Sequence, residues 1–105
     1  MSGWFPGREV PTHLARAAIL QAGRPAWPVA LEILASWSGL GADTPRGRLQ
    51  IDATASGRHD GWPDDAIIGE VGGQPIRVDS DGGVWVADVR VGEGVAAVCR
   101  LAGRA

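Results

Sequence analysis

Three short apolar runs follow one another between Ala66 and Val89: Ala66-Ile67-Ile68-Gly69-Glu70-Val71, Pro75-Ile76-Arg77-Val78-Asp79 and Val84-Trp85-Val86-Ala87-Asp88-Val89. Only a few residues separate them, Gly72-Gly73 in the first gap and Ser80-Asp81-Gly82-Gly83 in the second. Connections that short hold no crossover helix, so the runs are expected to pair antiparallel, the last two as a hairpin closed by an Asp-Gly turn. Upstream, Arg48-Leu49-Gln50-Ile51-Asp52-Ala53 alternates polar and apolar residues as a half-buried strand does, and Thr54 to Asp65, rich in Gly, Ser, Asp and Pro, reads as a loop.

Helical signals flank this strand-rich region. Pro11-Thr12 supplies an N-cap candidate ahead of His13 to Gly23, where alanines favour helix and glycine ends it. A second helix opens with Pro28 in its first turn, places Trp27, Leu31, Leu34 and Trp37 at helical spacing, and is closed by a left-handed Gly39. Glu93 to Gly103 reads as a C-terminal helix with Val95, Val98, Cys99 and Ala102 on one face and Gly103 as its stop. The expectation is an α+β domain: two N-terminal helices, an antiparallel or mixed β-sheet meander, and a C-terminal helix, with helices covering one face of the sheet.

At 105 residues the chain is expected to form a single domain, 1–105, that buries roughly 65% of its unfolded surface. Its apolar runs are too short to span a membrane, and no basic region followed by a hydrophobic stretch suggests a signal peptide. A lone cysteine, Cys99, excludes an internal disulfide and fits a reducing, cytoplasmic setting. The net charge of −2 conceals an asymmetry: from Asp60 to Glu93 eight acids face two bases, so that stretch carries −6 and the rest +4. Such a stretch repels nucleic acid and attracts a basic protein.

Catalysis finds few candidates in the composition. The two histidines, His13 and His59, lie in no recognisable nucleophile turn, and Cys99 falls on an apolar helix face where a thiol is inert. One cysteine and two distant histidines cannot supply a structural zinc site. Asp79-x-Asp81-Gly82 places its glycine fourth, not sixth as a calcium loop requires, and hairpin chemistry already accounts for it. Val71-Gly72-Gly73-Gln74 leads into a strand, with no helix N-terminus to receive a phosphate. Asp64 and Asp65, adjacent in an extended segment, point to opposite sides, which argues against a general acid/base pair. No catalytic residue, metal or cofactor is therefore assigned.

Among the aromatic residues, Trp4, Phe5, Trp27 and Trp37 read as core, on helix faces or in the locked N-terminal turn, and Trp62 reads as a binding residue. Large packing surface is concentrated in Trp4, Phe5, Trp27, Trp37, Trp62 and Trp85. Trp62 stands apart because it lies in a loop among acids, Asp60-Gly61-Trp62-Pro63-Asp64-Asp65, the pattern of an anchor aromatic ringed by charge. Asp60, Trp62, Asp64, Asp65, Glu70, Asp79 and Asp81 are thus the candidate partner-binding set, an acidic surface centred on one tryptophan.

One further motif lies at the start of the chain, where Pro6 and Gly7 lock the aromatic pair of Gly3-Trp4-Phe5-Pro6-Gly7-Arg8 into a docked turn. In order, Gly3, Trp4, Pro6, Gly7 and Arg8, then Trp37-Ser38-Gly39-Leu40, then Gly69-Glu70, then Val78-Asp79-Ser80-Asp81-Gly82 resemble the third subgroup of the SUKH superfamily of bacterial immunity proteins. That subgroup carries Gly-Trp-x-Pro-Gly-Arg, a helix ending in a Phe-Gly-Gly-Leu-like element, a Gly-Glu segment and a strand-turn-strand with Asp-x-Asp-Gly. The chain departs from it at Trp37-Ser38, where the family favours phenylalanine and glycine, and in having almost nothing ahead of the Gly-Trp turn. The resemblance implies a non-catalytic cytoplasmic protein that binds and neutralises a toxin domain, often a nuclease or deaminase. A non-enzymatic adaptor of the same fold, binding a cellular protein or peptide, is the alternative.

Overall fold

Helix α2 (Pro28–Trp37) shows how the sequence positions the rest. Trp27 ahead of it is extended, with φ −61° and ψ 142°, and Pro28 needs no donor in the first turn. Ala30, Ile33 and Leu34 are fully buried, while Trp27, Leu31 and Trp37 pack at the margin of the core. Of the expected Trp27/Leu31/Leu34/Trp37 series only Leu34 is fully buried; Ala30 and Ile33 centre the buried stripe and the other three line its edges. Gly39 ends the helix at φ 89°, as anticipated. Its N–H then donates to Ile51 O at 2.9 Å and Ile51 N–H donates to Leu40 O at 3.0 Å, tying the helix end to the sheet.

The computed structural model describes residues 12–101. The turn Gly3 to Arg8, with Trp4 and Phe5, lies outside the described residues, as do Ala102 and the expected stop Gly103. Helix α1 (Thr12–Gln21) turns its Ala15 and Ile19 into the core. After α2 come β1 (Gly41–Thr44), β2 (Gly47–Ile51), a 3₁₀ turn at Ala53–Gly57, β3 (Ala66–Val71), β4 (Gln74–Val78), β5 (Gly83–Val86), β6 (Val89–Glu93) and α3 (Gly94–Leu101). The six strands form one sheet in chain order, every neighbouring pair antiparallel, so the architecture is α+β with a pure meander. No helix among the described residues is long and apolar enough to cross a membrane.

Three elements differ from the sequence reading. The expected strand Val84–Val89 breaks into β5 and β6 at Ala87-Asp88, where Ala87 adopts φ 49°. No glycine marks that turn, which is why period-2 alternation reads straight through it. Strand β1 forms in a segment of Gly, Ala, Asp and Thr with no alternation to betray it. In α3 the buried face is Ala97, Val98 and Leu101, leaving Cys99 only half-buried. The helix starts at Gly94, one residue after the expected start.

The core lies between the helices and one face of the sheet, where Leu49, Ile51, Ile68, Ile76, Val78 and Val84 are at most 1% exposed. On the opposite face, register places Ile67 beside Arg77 and Arg77 beside Trp85. A register shift at Ile67/Gly69 separates the two patterns on β3. Gly69 is required there, since a Cβ would stand 2.1 Å from Gln50 O.

Candidate functional site

The segment between the 3₁₀ turn and β3 is a loop, as the sequence indicates, and two arginines give it a defined shape. Arg24, in the connection between α1 and α2, is 5% exposed and donates only to main-chain carbonyls. Its Nε reaches Ser56 O at 2.9 Å; Nη1 reaches Trp62 O at 2.6 Å and Asp65 O at 3.2 Å; Nη2 reaches His59 O at 2.5 Å and Gly61 O at 2.9 Å. Burial lowers its pKa, with the charges of Asp65 and Asp60 opposing the shift, and a guanidinium stays protonated throughout the physiological range. Trp62 takes φ 53°, uncommon for a bulky residue. Two further ties complete the loop: Trp27 Nε1 donates to Asp64 O at 2.9 Å, and Ser56 Oγ donates to Ile67 O at 2.7 Å.

The second arginine, Arg77 of β4, is 8% exposed. Its Cζ lies 4.8 Å from the Trp62 ring centroid and 4.5 Å from that of Trp85, so two indoles share one cation. Its Nη1 pairs with Asp65 Oδ2, and its Nε donates to Ala87 O at 2.7 Å. Trp62 is in this way fixed through its carbonyl by Arg24 and through its ring by Arg77.

The seven candidate binding residues divide into two groups. Asp65 is buried on Arg77, Glu70 accepts from Arg58 at 2.8 Å and contacts His59 Nε2 at 2.9 Å, and Asp79 organises the β4–β5 turn. Asp79 Oδ1 accepts from the N–H groups of Asp81 and Gly83, and its Oδ2 accepts from Trp85 Nε1 at 3.0 Å. Burial pushes the carboxyls of Glu70 and Asp79 up, but hydrogen bonds and nearby arginines outweigh it and hold both below their ordinary values. Asp60, Asp64 and Asp81 are exposed, and none forms an ion pair among the described residues. The single acidic surface read from the sequence therefore divides: Asp60, Asp64 and Asp81 are exposed, the first two on the loop that carries the half-buried Trp62, while Asp65, Glu70 and Asp79 are taken up by partners within the fold. Gly82, at φ 86°, packs against Val29, which joins this turn to the start of α2.

Sequence reasoning missed Arg24 and Arg77. Arg77 did leave a signal, as a cation flanked by Ile76 and Val78 in a strand whose alternation places it opposite the core. Arg24, in Gly23-Arg24-Pro25, left none.

A separate cleft of about 420 Å³ is lined by Ser38, Gly39, Leu40, Gly41, Arg48, Gln50, Ile51 and Asp52. Ser38 is its one hydroxyl side chain, and neither histidine nor cysteine lines it. Among the described residues no group of three or more His, Cys, Asp or Glu side chains is placed to hold a metal ion. In comparisons with known proteins, no family model, curated protein or solved structure matches the chain.

Proposed function

We propose that this chain is a non-catalytic, cytoplasmic immunity protein of the SUKH type, which binds a cognate toxin domain and covers its active site. The observation that carries the reading is the Trp62 loop: an aromatic anchor held in shape before any partner arrives, with exposed, unpaired Asp60 and Asp64 on either side. Preformed loops bind well because little freedom remains to be lost, and central aromatics dominate interface energetics. The rim carboxylates suit a basic surface such as the substrate groove of a nuclease. The motif order from Gly3 to Gly82 supports the immunity class in particular.

The test is rescue. Where a neighbouring gene encodes a large secreted protein with a toxin-like C-terminus, the chain is coexpressed in bacteria with that domain and surviving colonies are counted; a neighbourhood without such a gene counts against the proposal. Survival with the wild type and loss of survival with Trp62→Ala, at unchanged protein level, is the expected result. Equal killing with and without the wild-type chain would refute the proposal.

The adaptor reading draws on one observation of its own. Strand β1 is an edge of the sheet beside the cleft, where an extended peptide could add a strand. Loss of partner binding on substitution within Gly41–Thr44, with Trp62→Ala silent, would favour it.

A further inference from the structure

Two residues other than glycine hold a positive φ among the described ones, Trp62 at 53° and Ala87 at 49°. A buried arginine grips the carbonyl of each, Arg24 that of Trp62 and Arg77 that of Ala87. A left-handed backbone at such residues costs about 1–2 kcal/mol and persists only where its surroundings over-determine it.

Arg24 supplies that over-determination. Its planar fork collects carbonyls from Ser56, His59, Gly61, Trp62 and Asp65, so it sets the path of the whole loop. At 5% exposure it offers nothing to a partner directly. No carboxylate lies within ion-pair distance of it among the described residues, so its role is directional and not simple charge neutralisation. A lysine ammonium keeps the charge but presents three donors without a plane, and cannot reproduce five diverging bonds.

We propose that Arg24 is a positioning residue for partner recognition, acting only through the main chain of residues 56–65 to hold Trp62, Asp60 and Asp64 in their bound arrangement beforehand. This rests on the reading of that loop as the contact surface. It follows that Arg24→Lys leaves the steering charges intact, so association rate and salt dependence are preserved. The complex must instead order a loose loop and a large side chain, which makes dissociation about tenfold faster.

The experiment compares wild type, Arg24→Lys, Trp62→Ala and the double variant, each labelled with 5-fluorotryptophan. The free proteins are followed by fluorine NMR and amide hydrogen exchange, and binding is measured against the purified toxin domain that the chain neutralises in the coexpression test. In Arg24→Lys the Trp62 resonance broadens or splits, and the Asp65 amide, which donates to Trp62 O at 3.1 Å, exchanges faster while β4 and β5 stay protected. Binding weakens through dissociation alone, and adding Arg24→Lys to Trp62→Ala costs nothing more.

Additive effects on binding, or an unchanged Trp62 resonance, would overturn the role of Arg24. A silent Trp62→Ala would instead remove the contact surface on which the role depends. Should Arg24→Lys fail to fold, Arg24→Gln, which buries no unpaired charge, takes its place in the cycle. Wild type provides one more decisive reading: if the Asp65 amide exchanges as fast as an unstructured peptide, the loop is not held and the proposal fails.

Discussion

Asp65→Ala tests the charged centre of the site most directly. The substitution removes the carboxylate from Arg77 in a pair whose side chains are only 12% and 10% exposed. Breaking one partner of such a pair leaves an uncompensated buried charge, a loss of about 3–5 kcal/mol. Arg77 would keep its bond to Ala87 O and its contacts with Trp62 and Trp85, each ring worth about 0.5–2 kcal/mol, so the lower end, about 3 kcal/mol, is expected. Domains of this size have roughly 5–15 kcal/mol of stability, and at about 4–8 °C per kcal/mol the melting temperature drops by more than about 10 °C.

Removing both charges in Asp65→Ala/Arg77→Met eliminates the orphaned cation, so the double variant is more stable than the sum of the single effects predicts, by at least about 1 kcal/mol. Glu93→Ala is the control: its pair with Arg90, 73% and 46% exposed, contributes less than about 1 kcal/mol. Urea unfolding followed by circular dichroism and by tryptophan fluorescence measures wild type, Asp65→Ala, Arg77→Met, the double variant and Glu93→Ala. Additive single effects, or an Asp65→Ala loss no larger than that of Glu93→Ala, would show that the pair does not hold the site together.

The folded-state pKa values of Glu70 and Asp79 lie below their ordinary values, so both carboxylates contribute stability above the unfolded-state pKa that is lost as pH falls through the folded one. Stability should therefore be level near neutrality and decline on the acid side, with a shallower decline in Glu70→Gln, as urea midpoints taken down to about pH 2 will show. Gly69→Ala forces a Cβ to 2.1 Å from Gln50 O and pushes β2 from β3, costing more than about 2 kcal/mol, whereas Gly57→Ala meets nothing within 4 Å and changes stability by less than about 1 kcal/mol. Asp60→Lys/Asp64→Lys leaves stability within about 0.5 kcal/mol but slows association with the toxin domain and weakens its salt dependence. Unchanged kinetics would remove the rim from recognition.

The parts of the fold visible in the sequence are those with a local cause. Pro28 and Gly39 mark the ends of α2, Asp81-Gly82 marks the β4–β5 turn, and the apolar density of Ala66–Val71 announces a strand buried on both faces. What could not be read has a non-local cause. Ala87 turns because Arg77 and Pro75 hold its carbonyl and N–H from a neighbouring strand, and the loop before β3 is ordered by Arg24, more than thirty residues away in the chain. The acidic loop and its tryptophan could be picked out as a candidate, but not which of its acids face outward.

That last distinction changes the electrostatic argument. The −6 carried by residues 60–93 is not the charge a partner meets at contact. Asp65 is closed off by Arg77, Glu70 is met by Arg58 from outside the stretch, and Glu93 by Arg90. Exposed and without an ion pair among the described residues are Asp60, Asp64 and Asp81, on the loop and turn that flank the start of α2, and Asp88 in the turn between β5 and β6. Long-range attraction follows the whole charge distribution, whereas short-range specificity follows the charges that remain unpaired at the surface. The acids of this stretch therefore separate by assay: neutralising Asp65 or Glu70 acts on folding, and neutralising Asp60, Asp64 or Asp81 acts on association. A variant of Asp60 or Asp64 that lowered stability as much as Asp65→Ala would mean that the boundary between scaffold and rim has been drawn in the wrong place.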